Sequence, residues 1–493
     1  MPFGRGRSWP LSQEVAVRIS ACRSTVQRIS VAVAPLLLVR VLLLSSYSVA
    51  PQGPGGSGRP GPGDPGGSAQ DPGMRGSPAG AGGMIGGLSA SQQEYFSASI
   101  TEFNQVDAVT DGLGPRMNLD SCAGCHAQPA AGGTSPAVNP QVAFATTNGG
   151  TDTVPSFVSA NGPVREARFV ANPDRTPDGG VHDIFTITGR TGATGCALDQ
   201  PDFAGALAAH NVIFRIPTPL FGLGLVEQIP DAAILANQAR DQGQKSAFGI
   251  RGRANFQVSG RTITGQTNDN GNDGTVARFG WKGQNKSLLL FAGEAYNVEM
   301  GVTNELFQTE REESANCQFA TVPNSVTNTD ATNTTDVISD IEKFAIFMRF
   351  LAPPVPSPNT PGGAHSIANG RATFQQVGCA LCHTPTMMTG NSTVAALRNQ
   401  QVNLFSDLLV HNMGTGLADG VSQGEAGPQD FRTAPLWGLG QRIFFLHDGR
   451  TNNLVAAIQA HASDGSEANG VIASFQALDE RTKQDLLNFL RSL

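Results

Sequence analysis

Cys122-Ala-Gly-Cys125-His126 and Cys379-Ala-Leu-Cys382-His383 decide how the rest of the chain is read. Cys-x-x-Cys-His is the attachment pattern of c-type haem: the two thiols add to the vinyl groups as thioethers, and the adjoining His supplies the proximal iron ligand. A structural zinc site needs four ligands closing one tetrahedron, and these motifs stand more than 250 residues apart. A thioredoxin-like Cys-x-x-Cys accounts for neither the His nor the repetition. The sequence therefore predicts two covalently bound haem c groups. Cys122, Cys125, Cys379 and Cys382 hold them, with His126 and His383 as iron ligands.

The remaining cysteines and the N-terminus agree with chemistry outside the cytoplasm. Arg5, Arg7, Arg18, Arg23 and Arg28 precede an apolar run from Ile29 to Leu44, followed by Ser48-Val49-Ala50. A basic segment, an apolar segment and small residues at a cleavage site read as a signal peptide over residues 1–50. Arg40 interrupts the run, which is short for a membrane span. The expected location is periplasmic or secreted. Once Cys22 leaves with the leader and four thiols go to haem, Cys196 and Cys317 remain. In an oxidising compartment that pair predicts a disulfide, with two buried free thiols as the alternative.

At 493 residues the chain can build two or three domains with real cores. Its net charge of -7 argues against a nucleic-acid partner and allows docking of a basic redox protein. Pro51 to about Gly87 is Gly, Pro and Ser with almost no large apolar side chains, which reads as a disordered linker over 51–87. Ser91 and Glu94 have capping-box spacing before Phe96, Ile100 and Phe103 recur at helical period. Residues 336–351 and 479–493 are two amphipathic helices with acidic starts, each downstream of one haem motif. They suggest two haem domains, 88–355 and 361–493, each closed by a C-terminal helix. Residues 181–188, 212–216 and 256–264 look strand-like among Gly, Asn and Asp clusters. The expected fold is mainly α, two cytochrome c-type haem domains, the first enlarged by a strand-and-loop insertion. The polar stretch 321–335 reads as a surface loop.

Several segments carry a family resemblance. Val410-His411-Asn412-Met413-Gly414, Phe431-Arg432-Thr433-Ala434-Pro435-Leu436 and Phe444-Phe445-Leu446-His447-Asp448-Gly449 resemble stretches of bacterial di-haem cytochrome c peroxidases and of the enzyme that matures tryptophan tryptophylquinone. Gly112-Leu113-Gly114-Pro115, the run from Pro217 to Gly224, the run from Arg278 to Lys282, and the run from Met300 to Asn304 are closer still to the di-haem oxidoreductase family. The resemblance covers residues 88–493.

The resemblance implies roles. In the peroxidases the distal ligand of the C-terminal haem stands fourteen positions after the His of the His-Asp-Gly segment; counted from His447, that position is His461. Bis-His ligation is therefore expected, with Met413 the runner-up on thioether chemistry. For the N-terminal haem no ligand follows His126 at comparable spacing. His182, His210 and His365 are as readily structural, so an open sixth position is expected, where peroxide or dioxygen coordinates. Tyr296-Asn297-Val298-Glu299 resembles the peroxidase segment whose Glu moves a proton, against a solvated surface Glu. Trp281 resembles a Trp between the haems, against simple core packing. A calcium ion between the domains is also implied by the peroxidases, but no residue here matches its site.

The function this implies is an exported di-haem oxidoreductase of peroxidase type. Electrons would pass from a small redox protein through the C-terminal haem to the N-terminal one. Two rivals stand beside it: a non-catalytic electron-transfer cytochrome with both irons six-coordinate, and a haem oxygenase related to the secreted rubber oxygenases.

Overall fold

The computed structural model describes residues 67–76, 78–256, 261–263, 266–268, 275–310 and 314–493. The expected signal peptide and residues 51–66 of the expected linker lie outside them.

Three helices frame the first half. α1 spans Ala90–Phe103. The Ser89 hydroxyl accepts the Gln92 N–H at 3.3 Å, and the Gln92 side chain accepts the Ser89 N–H at 2.9 Å. The capping box thus lies two residues before the expected Ser91–Glu94 pair, because Gln serves as well as Glu in returning the bond. α2 spans Leu288–Met300, capped by Ser287, whose hydroxyl accepts the Leu290 N–H at 3.1 Å. It stops at Gly301, with φ of 75°, where a Cβ would lie 2.5 Å from the Arg116 carbonyl. Only glycine fits there. α3 spans Asp340–Phe350. It begins later than 336 because Ser339 and Glu342 form its capping box, and Thr334–Val337 is a separate short turn. Phe347 of α3 stacks on Phe103 of α1 with centroids 4.3 Å apart and on Phe96 at 5.7 Å.

Two helices pair in the second half. α4 spans Ala364–Gln376 and α5 spans Glu480–Ser492, capped by Asp479. Gly370 lets them touch: a Cβ there would lie 1.9 Å from the Asp485 carbonyl oxygen. Phe374, Phe405 and Phe489 fill the space behind them. Residues Met387 to Leu409 and Trp437 belong to the expected second domain, yet many of them bury into the first core.

The expected mainly helical class becomes a mixed one, with 34% helix and 11% strand. The insertion supplies much of the strand. β1, Glu166–Phe169, lies between β2, Val181–His182, and β3, Val212–Arg215, antiparallel to both. Phe185–Thr186 pairs instead with Arg116–Met117, so the expected 181–188 strand breaks in two. In the second half β4, Val410–Asn412, pairs antiparallel with β5, Asp430–Arg432. Gly and Asn turns keep all these strands short.

The reading of 51–87 as a disordered linker fails over its described part. The Arg75 N–H donates to the Gly440 carbonyl at 2.9 Å, and the Ile85 N–H to the Phe350 carbonyl at 2.7 Å. Asp71 receives both Nε and Nη2 of Arg491 at 2.7 Å. Backbone hydrogen bonds and one buried ion pair anchor this strap where large apolar side chains are missing.

Cys196 and Cys317 form a disulfide, as the cysteine count predicts. It closes a loop across 121 positions. Cys196→Ser with Cys317→Ser is expected to lower unfolding free energy by about 2–5 kcal/mol. Denaturant titration of both forms checks this, and an unchanged midpoint would contradict it.

Candidate functional site

Each Cys-x-x-Cys-His motif opens onto its own cavity. Cys122–Cys125 forms one helical turn after Ser121. Residues three apart on such a turn share a face, so both cysteines line the first cavity. His126 follows and also lines it. Its Nδ1 donates to the Gly133 carbonyl at 3.0 Å, which fixes the ring and leaves Nε2 with its lone pair. Burial holds the imidazole down at about 4, so it is neutral, the form that binds metal.

The second cavity repeats the arrangement. Cys379 opens a 3-10 turn, and Cys382 and His383 follow. His383 Nδ1 donates to the Phe405 carbonyl at 3.1 Å. Burial, then the neighbouring His461, holds its imidazole down at about 4. His461 and Met413 both line this cavity. His461 Nδ1 donates to the Ala457 carbonyl at 2.8 Å, which orients its other nitrogen as the motif histidines are oriented. Met413 packs against the small apolar cluster of Ile216, Trp281, Leu417, Phe431 and Phe444.

Trp281 lines both cavities. Its Nε1–H donates to the Ile216 carbonyl at 2.9 Å, and its ring meets His447 edge-on with centroids 6.4 Å apart. It is also a core residue of that apolar cluster, so packing and placement between the cavities coincide.

Glu299 lies at the first cavity and is not a solvated surface group. Asn118 Nδ2 donates to its Oε2 at 2.7 Å, and it hydrogen-bonds Glu166. Burial and then the Glu166 charge push its carboxyl well above the usual range. For Glu166 burial acts upward too, but the Arg168 guanidinium, 2.6 Å away, with help from Glu299 and Arg215, holds it at about 2. The two carboxyls therefore share one proton, carried by Glu299.

His182 pairs with Asp178 at 2.8 Å and stacks on Phe169. His210 turns a corner at φ 52°, and His365 sits on α4 bonded to Asn369. Among the described residues His126 is the one histidine lining the first cavity. Sequence reasoning missed Glu166, Arg168, Asn118, Arg432 and Arg442. One signal was present: Glu166-Ala-Arg168 on a strand puts both charges on one face of an otherwise apolar stretch.

The sequence family described as "Di-haem oxidoreductase, putative peroxidase" matches residues 182–493, well over half of the chain. The chain belongs to that family. Two solved structures are similar to parts of this di-haem oxidoreductase. A MauG-like protein associated with microbial copper homeostasis is 18% identical over 50% of this chain and 78% of its own, with a TM-score of 0.25. Hydrazine synthase of Kuenenia stuttgartiensis is 16% identical over 33% of this chain, with a TM-score of 0.21. The oxidoreductase spans 56% of that hydrazine synthase chain. No curated protein matches it.

A di-haem family implies haem cofactors, and the donors of this oxidoreductase fit them. Each cavity offers two thiols outside any disulfide and one neutral, oriented imidazole. Among the described residues all four non-disulfide cysteines are accounted for in this way.

Proposed function

We propose that this chain is an exported c-type cytochrome with peroxidase-type redox activity, taking electrons from a small redox protein. Cys122 and Cys125 would carry one haem and Cys379 and Cys382 the other, each S–H adding across a vinyl double bond. His126 and His383 would bind the irons, and His461 would be the second ligand in the C-terminal cavity. Haem iron supplies, when bound, a coordination site for peroxide and the capacity to accept and donate electrons.

The observation that carries the reading is Glu299 lining the cavity of His126 and held by Asn118, where burial and the Glu166 charge push its carboxyl well above the usual range. That carboxyl can give its proton to the departing peroxide oxygen and then, as carboxylate, recover one from the other oxygen. The cavity's single histidine agrees with an open iron position there. Spectra of the purified protein before and after one equivalent of hydrogen peroxide test this. A high-spin component consumed by peroxide supports the enzyme. Two low-spin, inert haems would instead mark an electron carrier.

Trp281 is the residue common to both cavities. Trp281→Phe is expected to slow inter-haem electron transfer severalfold while both haem spectra stay unchanged. Stopped-flow reduction followed at the two haems measures it, and an unaltered rate reduces Trp281 to packing.

A further inference from the structure

Two buried cations line the second cavity, and among the described residues neither forms an ion pair. Arg432 and Arg442 both line it and are 9% and 7% exposed. Arg432 donates through Nε to the Gly280 carbonyl at 3.0 Å and through Nη1 to the Thr433 carbonyl at 3.0 Å. Among the described residues no carboxylate pairs with either arginine, and none accepts a hydrogen bond from the Arg442 guanidinium. Other buried arginines are treated differently. Arg168 pairs with Glu166, Arg215 with Asp419 and Arg491 with Asp71. Asp407, the acid felt by Arg432, is already bonded to His411 at 3.0 Å.

Burial holds both guanidiniums down at about 10; the Arg442 charge adds to this at Arg432, and the Arg491 charge at Arg442. Guanidinium does not lose its proton in proteins, so the charge stays. A buried, unpaired cation is strongly unfavourable. Two of them facing one cavity call for two negative charges delivered by the occupant. Guanidinium forks match planar carboxylates in shape and charge.

We propose that Arg432 and Arg442 bind the two propionate carboxylates of the haem in the C-terminal cavity. The inference rests on the haem reading of that cavity. The first cavity lacks this arrangement, since two of its three arginines, Arg168 and Arg215, are already neutralised within the protein. The pair therefore also acts on electron affinity: nearby positive charge favours the reduced iron of this haem over that of its neighbour.

The test compares holoprotein with Arg432→Gln, Arg442→Gln and the Lys variant at each position. Haem per chain, resonance Raman bands of propionate bending, and redox titration of both haems are read. The Gln variants are expected to shift the propionate bands of one haem and lower its midpoint potential, leaving the other haem unmoved. Lys variants keep the charge but lose the fork, so the bands shift while the potential holds. If Gln variants do not fold, unmoved bands in the Lys variants overturn the proposal, as do unmoved bands and potentials in folded Gln variants. Covalent haem in Cys379→Ser with Cys382→Ser equal to that of the wild type would instead overturn the haem reading itself.

Discussion

Glu299→Gln is expected to lower peroxide turnover by roughly 10²–10⁴-fold, the span contributed by a positioned proton-transfer group. Gln keeps the shape and the bond from Asn118 but cannot carry a proton between oxygens. Haem content and the resting spectrum should be unaltered, which separates lost chemistry from lost structure. Steady-state turnover within a few-fold of wild type would remove Glu299 from the reaction.

The partner carboxylate gives this prediction a pH signature. Burial raises the Glu299 pKa first, and the negative charge of Glu166 raises it further. Turnover that needs the proton falls as pH climbs through that raised value. Glu166→Gln removes the charge, so the Glu299 pKa drops and the alkaline limb moves to lower pH. A profile with an unmoved alkaline limb would mean that Glu166 acts only as a tether for Arg168.

His461→Ala is expected to abolish essentially all of the low-spin signal in electron paramagnetic resonance, converting the C-terminal haem to high spin. The ring is held at Nδ1 by the Ala457 carbonyl and lines the cavity of His383. Met413→Leu should leave the signal in place, because that side chain packs with Trp281 and Phe431. The reverse pattern would hand the ligand role to Met413.

Much of the site was legible because covalent attachment demands contiguous residues. Cys122 to His126 and Cys379 to His383 announce themselves within five positions each. The helix ends were nearly legible too, though Ser89 rather than Ser91 caps α1, since Gln92 closes the box. Glu166 and Asn118 were not legible. They reach Glu299 from 133 and 181 positions away, through a strand and a loop whose pairing no local pattern records. Nothing local in the sequence marks Arg432 and Arg442 as buried, because their burial comes from segments far away in the chain. The strap failed for the opposite reason: its composition is that of a linker, and its anchoring is almost wholly backbone and charge.

The strap ties Asp71 to Arg491 across 420 positions. A ring that large can be fastened only after everything inside it has been synthesised and brought together, and its entropy cost precedes its reward. The clasp is therefore a late event in assembly. Until it shuts, the α5 end of the molecule is held by its packing on α4 and by its bonds to Ser357, Leu439, Gly440 and Arg442, and fraying there exposes the wall of the C-terminal cavity formed by Leu486 and Leu490.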